Sequence, residues 1–342
     1  MSDTTASLRR QINSAGDLQS VVRTMKSLAA SSIHQYEQSV DALVDYARTV
    51  ELGLGVCFRG IGKAGGPTDP SGQTASGPIG AVIFGSDQGL VGQFNDQVAD
   101  HAVQKLAGLT VLQPDVQLDA SPDAQAKAQP DATFDARPDA KKDQSPSQPQ
   151  VWAVGERVQA RLADAGLAVV GQFAVPSSVE AITTLVGEIL VEIEAHQRQG
   201  EFGALYLFYN RPSSGAVYAP VDQRLLPLDA PWRHALADAP WPTNNLPEVI
   251  GGDSDSNTGT LRALIREYLF VSIFRACAES LASENASRLA AMQRADKNID
   301  ELLDTLNASF HRLRQSGIDE ELFDVIAGFE ALSEPRRSAQ SS

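Results

Sequence analysis

Val22-Arg-Thr-Met25-Lys-Ser-Leu-Ala29-Ala-Ser-Ser-Ile33-His-Gln-Tyr36-Glu-Gln-Ser-Val40 sets apolar side chains at alternating steps of three and four. The series continues through Leu43, Ala47, Val50 and Leu54. Such steps draw one stripe along a helix, an a/d seam that a lone helix leaves in water. A second series closes the chain: Leu264, Tyr268, Val271, Arg275, Ala278, Ala282, Asn285, Leu289, Met292, Asp296, Ile299, Leu303, Leu306, Phe310 and Leu313. Both series abut the same central region, so folding back as an antiparallel pair buries both stripes. The expected arms are residues 1–58 and 258–332, paired over roughly 70 Å at 1.5 Å per residue. A rod built from the two chain ends points to mechanical or scaffolding work.

The register follows from the ends of the seam. Where position 54 meets 264, position 8 meets about 310, and two polar seam members find charged neighbours. Arg275 falls opposite position 43, between Asp41 and Asp45, and Asp296 falls opposite position 22, beside Arg23. These spacings predict cross-helix ion pairs that fix register. Beyond Leu313 the second helix has outrun the first, yet Ile318, Leu322, Val325, Ile326, Phe329 and Leu332 keep the apolar spacing. An apolar helix end with no intrachain partner needs a socket elsewhere, because exposed patches of this size mark interaction sites.

Between the arms, strands alternate with helices. Gly80–Gly85, Val151–Val154, Leu167–Phe173, Ala204–Tyr209 and Ala216–Leu226 read as strands, and Phe94–Leu106, Glu156–Ala165 and Ser177–Arg198 as helices. The fold class expected is α/β: an open, Rossmann-like sheet over 79–228 plus the long antiparallel coiled coil of the terminal helices. A polar loop over 229–257 leads to the second arm, and 333–342 reads as a disordered tail. Residues 113–150 interrupt the sheet domain. Prolines recur there at Pro114, Pro122, Pro130, Pro138 and Pro146, the first four each followed by Asp. Proline at that spacing breaks helix and ladder alike, so a disordered insertion is expected.

Composition narrows the partners. The net charge of −15 opposes a nucleic-acid backbone, whose phosphates need clustered Lys and Arg. No run reaches the ~20 apolar residues of a membrane span, and Met1–Arg10 lacks a secretory core. Cys57 and Cys277 fall far apart in the register, so two reduced thiols are expected. Little in the chain suggests an active site. Gly85-Ser-Asp-Gln-Gly-Leu-Val-Gly92 sits where a phosphate loop would, but it lacks the Gly-Lys-Ser/Thr ending and reads as a tight strand-to-helix turn. The five histidines show no ligand spacing, and Asp87, Asp96 and Asp100 fit a solvated helix start. No catalytic residue, metal site or cofactor is expected.

Four collinear blocks carry a resemblance. Ser283-Glu-Asn-Ala-Ser-Arg-Leu-Ala-Ala-Met-Gln-Arg-Ala-Asp-Lys-Asn298 is the most specific. Arg312-Leu-Arg-Gln-Ser-Gly-Ile-Asp-Glu-Glu-Leu322 with Val325-Ile-Ala-Gly328 continues it. Ser86-Asp-Gln-Gly-Leu-Val-Gly-Gln-Phe-Asn95 is the third, and Ile12-Asn-Ser, Gln19 and Met25-Lys-Ser-Leu-Ala-Ala30 form the fourth. Together they resemble the γ subunit of F-type ATP synthases over nearly the whole chain except the Pro-Asp insertion. That resemblance implies a non-catalytic rotor shaft, with catalysis on β subunits of a surrounding α/β ring. It implies ε subunit and membrane c-ring partners at the foot, and a peripheral place on the cytoplasmic side of a bacterial inner membrane. By position it implies β-subunit contacts at Met25, Lys26, Arg288, Arg314, Gln315 and Glu320, and a bearing at the tip from Ile318 to Leu332. Ser31-Ser-Ile-His-Gln-Tyr36 stands where basic residues are usual, and Gln88 and Val91 replace Arg and Cys. Those departures suggest a divergent branch, the alternate, sodium-associated bacterial ATPases. The rival readings are a stand-alone coiled-coil scaffold with an α/β head, and a small-molecule enzyme using the Gly-rich turn.

Overall fold

The computed structural model describes residues 4–64, 77–111, 148–214, 216–245 and 254–333. In chain order these form α1 (Thr5–Ala64), β1 (Ile79–Phe84), α2 (Phe94–Val111), β2 (Gln150–Val154), α3 (Glu156–Asp164), β3 (Val169–Phe173), α4 (Val179–Arg198), β4 (Ala204–Ser213), β5 (Ala216–Leu226), α5 (Ala230–Asp238) and α6 (Ser254–Ser333). The Pro-Asp repeat and the tail beyond Ser333 lie outside the described residues. Two compact units result: residues 1–34, 90–92 and 285–342 in one, and 35–89 and 93–284 in the other. Both terminal helices contribute to each unit.

The larger unit is built on a five-stranded sheet in the order β3-β2-β1-β4-β5. β1 runs parallel to β2 and β4, β2 parallel to β3, and only β5 returns antiparallel beside β4. Every residue of β1 is buried, as expected of a central strand covered on both faces. Alternation then sorts its side chains. Ala81 and Ile83 join Val98, Ala102, Leu106, Val158 and Leu162 of α2 and α3 in one core. Val82 and Phe84 join Ile182, Val186 and Ile189 of α4, together with α6, in the other.

In that second core α6 is more than a seam-bearing arm. From Val271 to Asn285 every residue but Arg275 is buried, so this stretch is covered nearly all round. Its small residues, Ala276, Ala278, Ala282 and Ser283, allow that close approach. Ser283 Oγ donates to Asn210 O at 3.0 Å, and Asn210 Nδ2 donates to Phe94 O at 2.9 Å, linking α6, β4 and the start of α2. A helix also replaces part of the expected 229–257 loop. Pro231 suits the first turn of α5, and Trp232 packs against Tyr268 with ring centroids 4.8 Å apart. Arg59 of α1 donates to the carbonyls of Ala237 and Ala239, closing the C-terminal end of α5.

In the smaller unit, Ala15 and Val22 of α1 meet Met292 and Ile299 of α6 in a narrow apolar seam. Gln19 reaches Asp300, whereas Lys26 reaches Asp296, so partner numbers fall as α1 advances and the two helices run antiparallel.

Candidate functional site

A polar layer interrupts the seam of the smaller unit. Asp296 accepts from Arg23 Nε at 3.2 Å, from Lys26 Nζ at 3.4 Å and from Gln19 Nε2 at 3.4 Å. Arg23 also stands 3.7 Å from Asp300, to which Gln19 donates as well. Burial works to raise the Asp296 carboxyl, but the hydrogen bonds and charges of Arg23 and Lys26 hold it below the usual carboxylate range. Sequence spacing pointed to Arg23 and Asp296; Gln19, Lys26 and Asp300 complete the layer. Met25 packs at the edge of the apolar seam, and Arg288 donates to Asn285 Oδ1 at 3.3 Å.

The two sides of this helix pair differ. Leu18, Val21 and Leu28 of α1 are all more than half exposed, and Leu18 lines a groove with Ala15, Ile299, Leu302 and Leu306. A second groove is polar, lined by Gly16, Gln19, Ser20, Arg23, Thr24 and Ser27. Because the seam pattern uses only one stripe, the neighbouring stripe of Leu18, Val21 and Leu28 escaped a reading based on a/d positions alone.

The pairing ends at Leu313. That residue is partly buried, and every residue from Arg314 to Glu330 is exposed. Ile318, Leu322, Val325, Ile326 and Phe329 range from 46% to 75% exposed, and Phe323, which the seam spacing skips, is 70% exposed. Arg314, Gln315 and Ile318 share a shallow groove with His311 at the base of this stretch, and Glu320 lies exposed beyond it. The side chain of Leu332 falls outside the described residues.

In the larger unit one expected pair is corrected. Arg275 does not reach Asp41 or Asp45; its Nε donates to Glu279 Oε1 at 2.8 Å, one turn along its own helix. Glu279 is 7% exposed and accepts from Arg211 Nε on its other oxygen at 2.7 Å. A buried carboxylate between two guanidiniums is a stronger attractor than exposed aspartates across the seam. The signal was present as the i, i+4 spacing of Arg275 and Glu279.

The Gly-rich turn is tied up by its own polar groups. Asn95 Oδ1 accepts from Ser86 N at 2.9 Å, and Asn95 Nδ2 donates to Ser86 Oγ at 2.8 Å. Asp87 accepts from Glu156 N and Val175 N, and Ser86 O accepts from Arg157 N, so the first donors of α3 are taken. Gly92 at φ 58° and Leu90 at φ 63° supply the left-handed kinks, and Ser287 Oγ donates to Val91 O at 2.5 Å. The turn is a latch, with Asp87 as a helix cap. Asp96 pairs with Arg161, which separates it from Asp87 in role. Among the described residues, no group of three His, Cys, Asp or Glu side chains could hold a metal ion, and no helix is long and apolar enough to cross a membrane.

The family profile described as ATP synthase matches residues 4–118 and 129–332, leaving a gap inside the Pro-Asp repeat. The ATP synthase gamma chain of Granulibacter bethesdensis is 28% identical over 328 residues, covering 95% of this chain and 98% of its own. That of Sorangium cellulosum is 26% identical over 353 residues, with 96% and 98% covered. In architecture, the chain is similar to one in the cryo-EM structure of the Euglena gracilis mitochondrial ATP synthase (OSCP/F1/c-ring, rotational state 3). The TM-score there is 0.57 at 13% identity, with 97% of this chain and 95% of that one covered.

Proposed function

Since this chain belongs to the ATP synthase family, we propose that it is the gamma subunit, the central rotor shaft. It couples rotation of a membrane ion-driven ring to conformational cycling of catalytic sites on β subunits. The observation that carries this reading is the end of α6, partly buried as far as Leu313 and exposed from Arg314 to Phe329. Burying side chains such as Leu322, Val325 and Phe329 is worth ~1.5–3 kcal/mol each. A socket therefore offers enough to offset much of the ~4–15 kcal/mol cost of association. In a rotary assembly that socket is the bearing of the α/β ring, and Ile318, Leu322, Val325, Ile326, Phe329 and Leu332 turn in it.

Rotation acts through differential contact. A shaft shifts a β subunit between states only as far as it touches those states unequally. The apolar side formed by Leu18, Val21 and Leu28 and the polar side formed by Ser20, Arg23 and Ser27 supply that inequality. Met25, Lys26, Arg288, Arg314, Gln315 and Glu320 are the proposed β-subunit contacts. Lys26 then serves two partners, since it already holds Asp296. The sheet domain is the foot, meeting the ε subunit and the c-ring peripherally on the cytoplasmic side of a bacterial inner membrane. The chain itself is non-catalytic, and its Gly-rich turn stays structural.

The test is purification of the tagged full-length chain from its native host, followed by mass spectrometry of what accompanies it. α, β, ε and c subunits are expected in one complex; a chain that purifies without α and β overturns the reading.

A further inference from the structure

The exposed end of α6 carries a charge pattern as one-sided as its apolar one. Between Ile318 and Phe329 stand Asp319, Glu320, Glu321 and Asp324, with no lysine, arginine or histidine. At 100° per residue, Ile318, Leu322, Val325, Ile326 and Phe329 occupy an arc of about 100°. Asp319 and Glu321 stand just outside its two margins, and Glu320 and Asp324 lie on the back. All of these residues are exposed. The apolar strip thus has a carboxylate on each edge, with exposed Phe323 standing apart from it beyond Asp319.

That frame decides between occupants. A second copy of this chain would bring acidic margins against acidic margins, and an anionic lipid surface would repel them in the same way. A socket with an apolar floor and Lys or Arg along its rim complements both parts. We propose that the bearing which receives residues 318–329 has such a cationic rim, meeting Asp319 and Glu321. The rim charge sets the depth of the helix end as well as its affinity. Immediately before the acidic stretch stand Arg312 and Arg314, so the sign of charge reverses along the helix axis. A slip of a turn or two then brings Arg314 toward the cationic rim, which penalises the wrong depth. The inference rests on the shaft reading and adds the chemistry of the socket to it.

The experiment measures assembly of the full-length chain with purified α and β subunits of the same organism, at about 50 mM and about 500 mM salt, where screening differs several-fold. D319N/E321Q should weaken assembly about tenfold at the lower salt and flatten its salt dependence. D319K/E321K should weaken it further. L322A/F329A should weaken assembly at both salts while leaving the salt dependence as in the wild type. All four positions are exposed, so melting temperatures of the isolated variants should match the wild type. D319N/E321Q assembling with wild-type affinity and wild-type salt dependence overturns the cationic rim while leaving the shaft intact. Self-association of the isolated chain that L322A/F329A abolishes overturns it as well. A wild-type chain that does not assemble at all removes the shaft reading and the rim with it.

Discussion

Asp296 shows how one side chain converts an apolar seam into a defined register. Its two oxygens are shared among Arg23, Lys26 and Gln19, and sliding either helix by a turn would strip all three contacts. Asp296→Asn should lower the melting temperature of the chain at neutral pH. The pH dependence has a fixed sign. Because the folded carboxyl lies below its ordinary value, its stabilisation is complete above about pH 4 and is lost as pH falls through the folded pKa. The gap between wild type and Asp296→Asn should therefore close in acid, and a gap that persists at pH 2 would remove Asp296 as its source. His196 runs the other way. Its hydrogen bond to Glu201 at 2.5 Å raises its pKa, burial opposes this, and Glu192 at 3.2 Å adds to the rise. Stability from this cluster is complete below about pH 6.5 and fades as pH climbs through the raised value. His196→Gln should cost melting temperature below neutrality and little at high pH. An NMR titration of the imidazole, which lies edge-on to Trp152, reads the same pKa directly.

At the scale of elements, the Gly-rich turn and the end of α6 make opposite claims on folding. The turn is a latch anchored in the core at its start: a Cβ added at Gly85 would come 2.3 Å from Val158 Cβ and 2.7 Å from Asn95 Oδ1. Gly85→Ala should destabilise the chain by about 1–3 kcal/mol in urea titrations, as overpacking does. Deleting residues 318–342 should do the reverse, leaving the melting temperature of the isolated chain nearly unchanged and weakening assembly with the ring. A large loss of melting temperature would mean that α6 beyond Leu313 has an intrachain partner after all. The same elements show what a sequence discloses. Strands announced themselves as short apolar runs, and the last seam residue was legible because one helix simply outlasts the other. α5 stayed hidden because its polar, proline-bearing stretch carries no apolar period, and Trp232 earns its place only through the contact with Tyr268. The middle of α6 misled for a related reason. Burial nearly all round from Val271 to Asn285 satisfies a heptad count as one case among many, so the count does not single out the partner of Arg275, which is Glu279 on its own helix, with Glu51 of α1 near enough to feel its charge.

For the whole molecule in its proposed role as a shaft, the decisive quantity is asymmetry, because a shaft identical on all sides could not treat the subunits around it differently. The stripe of Leu18, Val21 and Leu28 is an exposed apolar surface on α1, and an a/d pattern passes over it because it lies beside the seam. Leu18→Gln with Leu28→Gln makes that side polar. Exposed substitutions of this kind stay within about 0.5 kcal/mol of neutral, so the isolated chain should melt as before. In the assembled complex the variant should still permit ATP hydrolysis while driving ion transport less efficiently per ATP, because the apolar side no longer distinguishes the β subunit it faces. A matched change on the polar side, Ser20→Gln with Ser27→Gln, preserves the contrast between sides and should leave that ratio unchanged. Measuring ATP consumed against ions moved in reconstituted vesicles separates the two variants. If both lower the ratio equally, the two-sided surface carries no information to the ring and the asymmetry must reside in the tip.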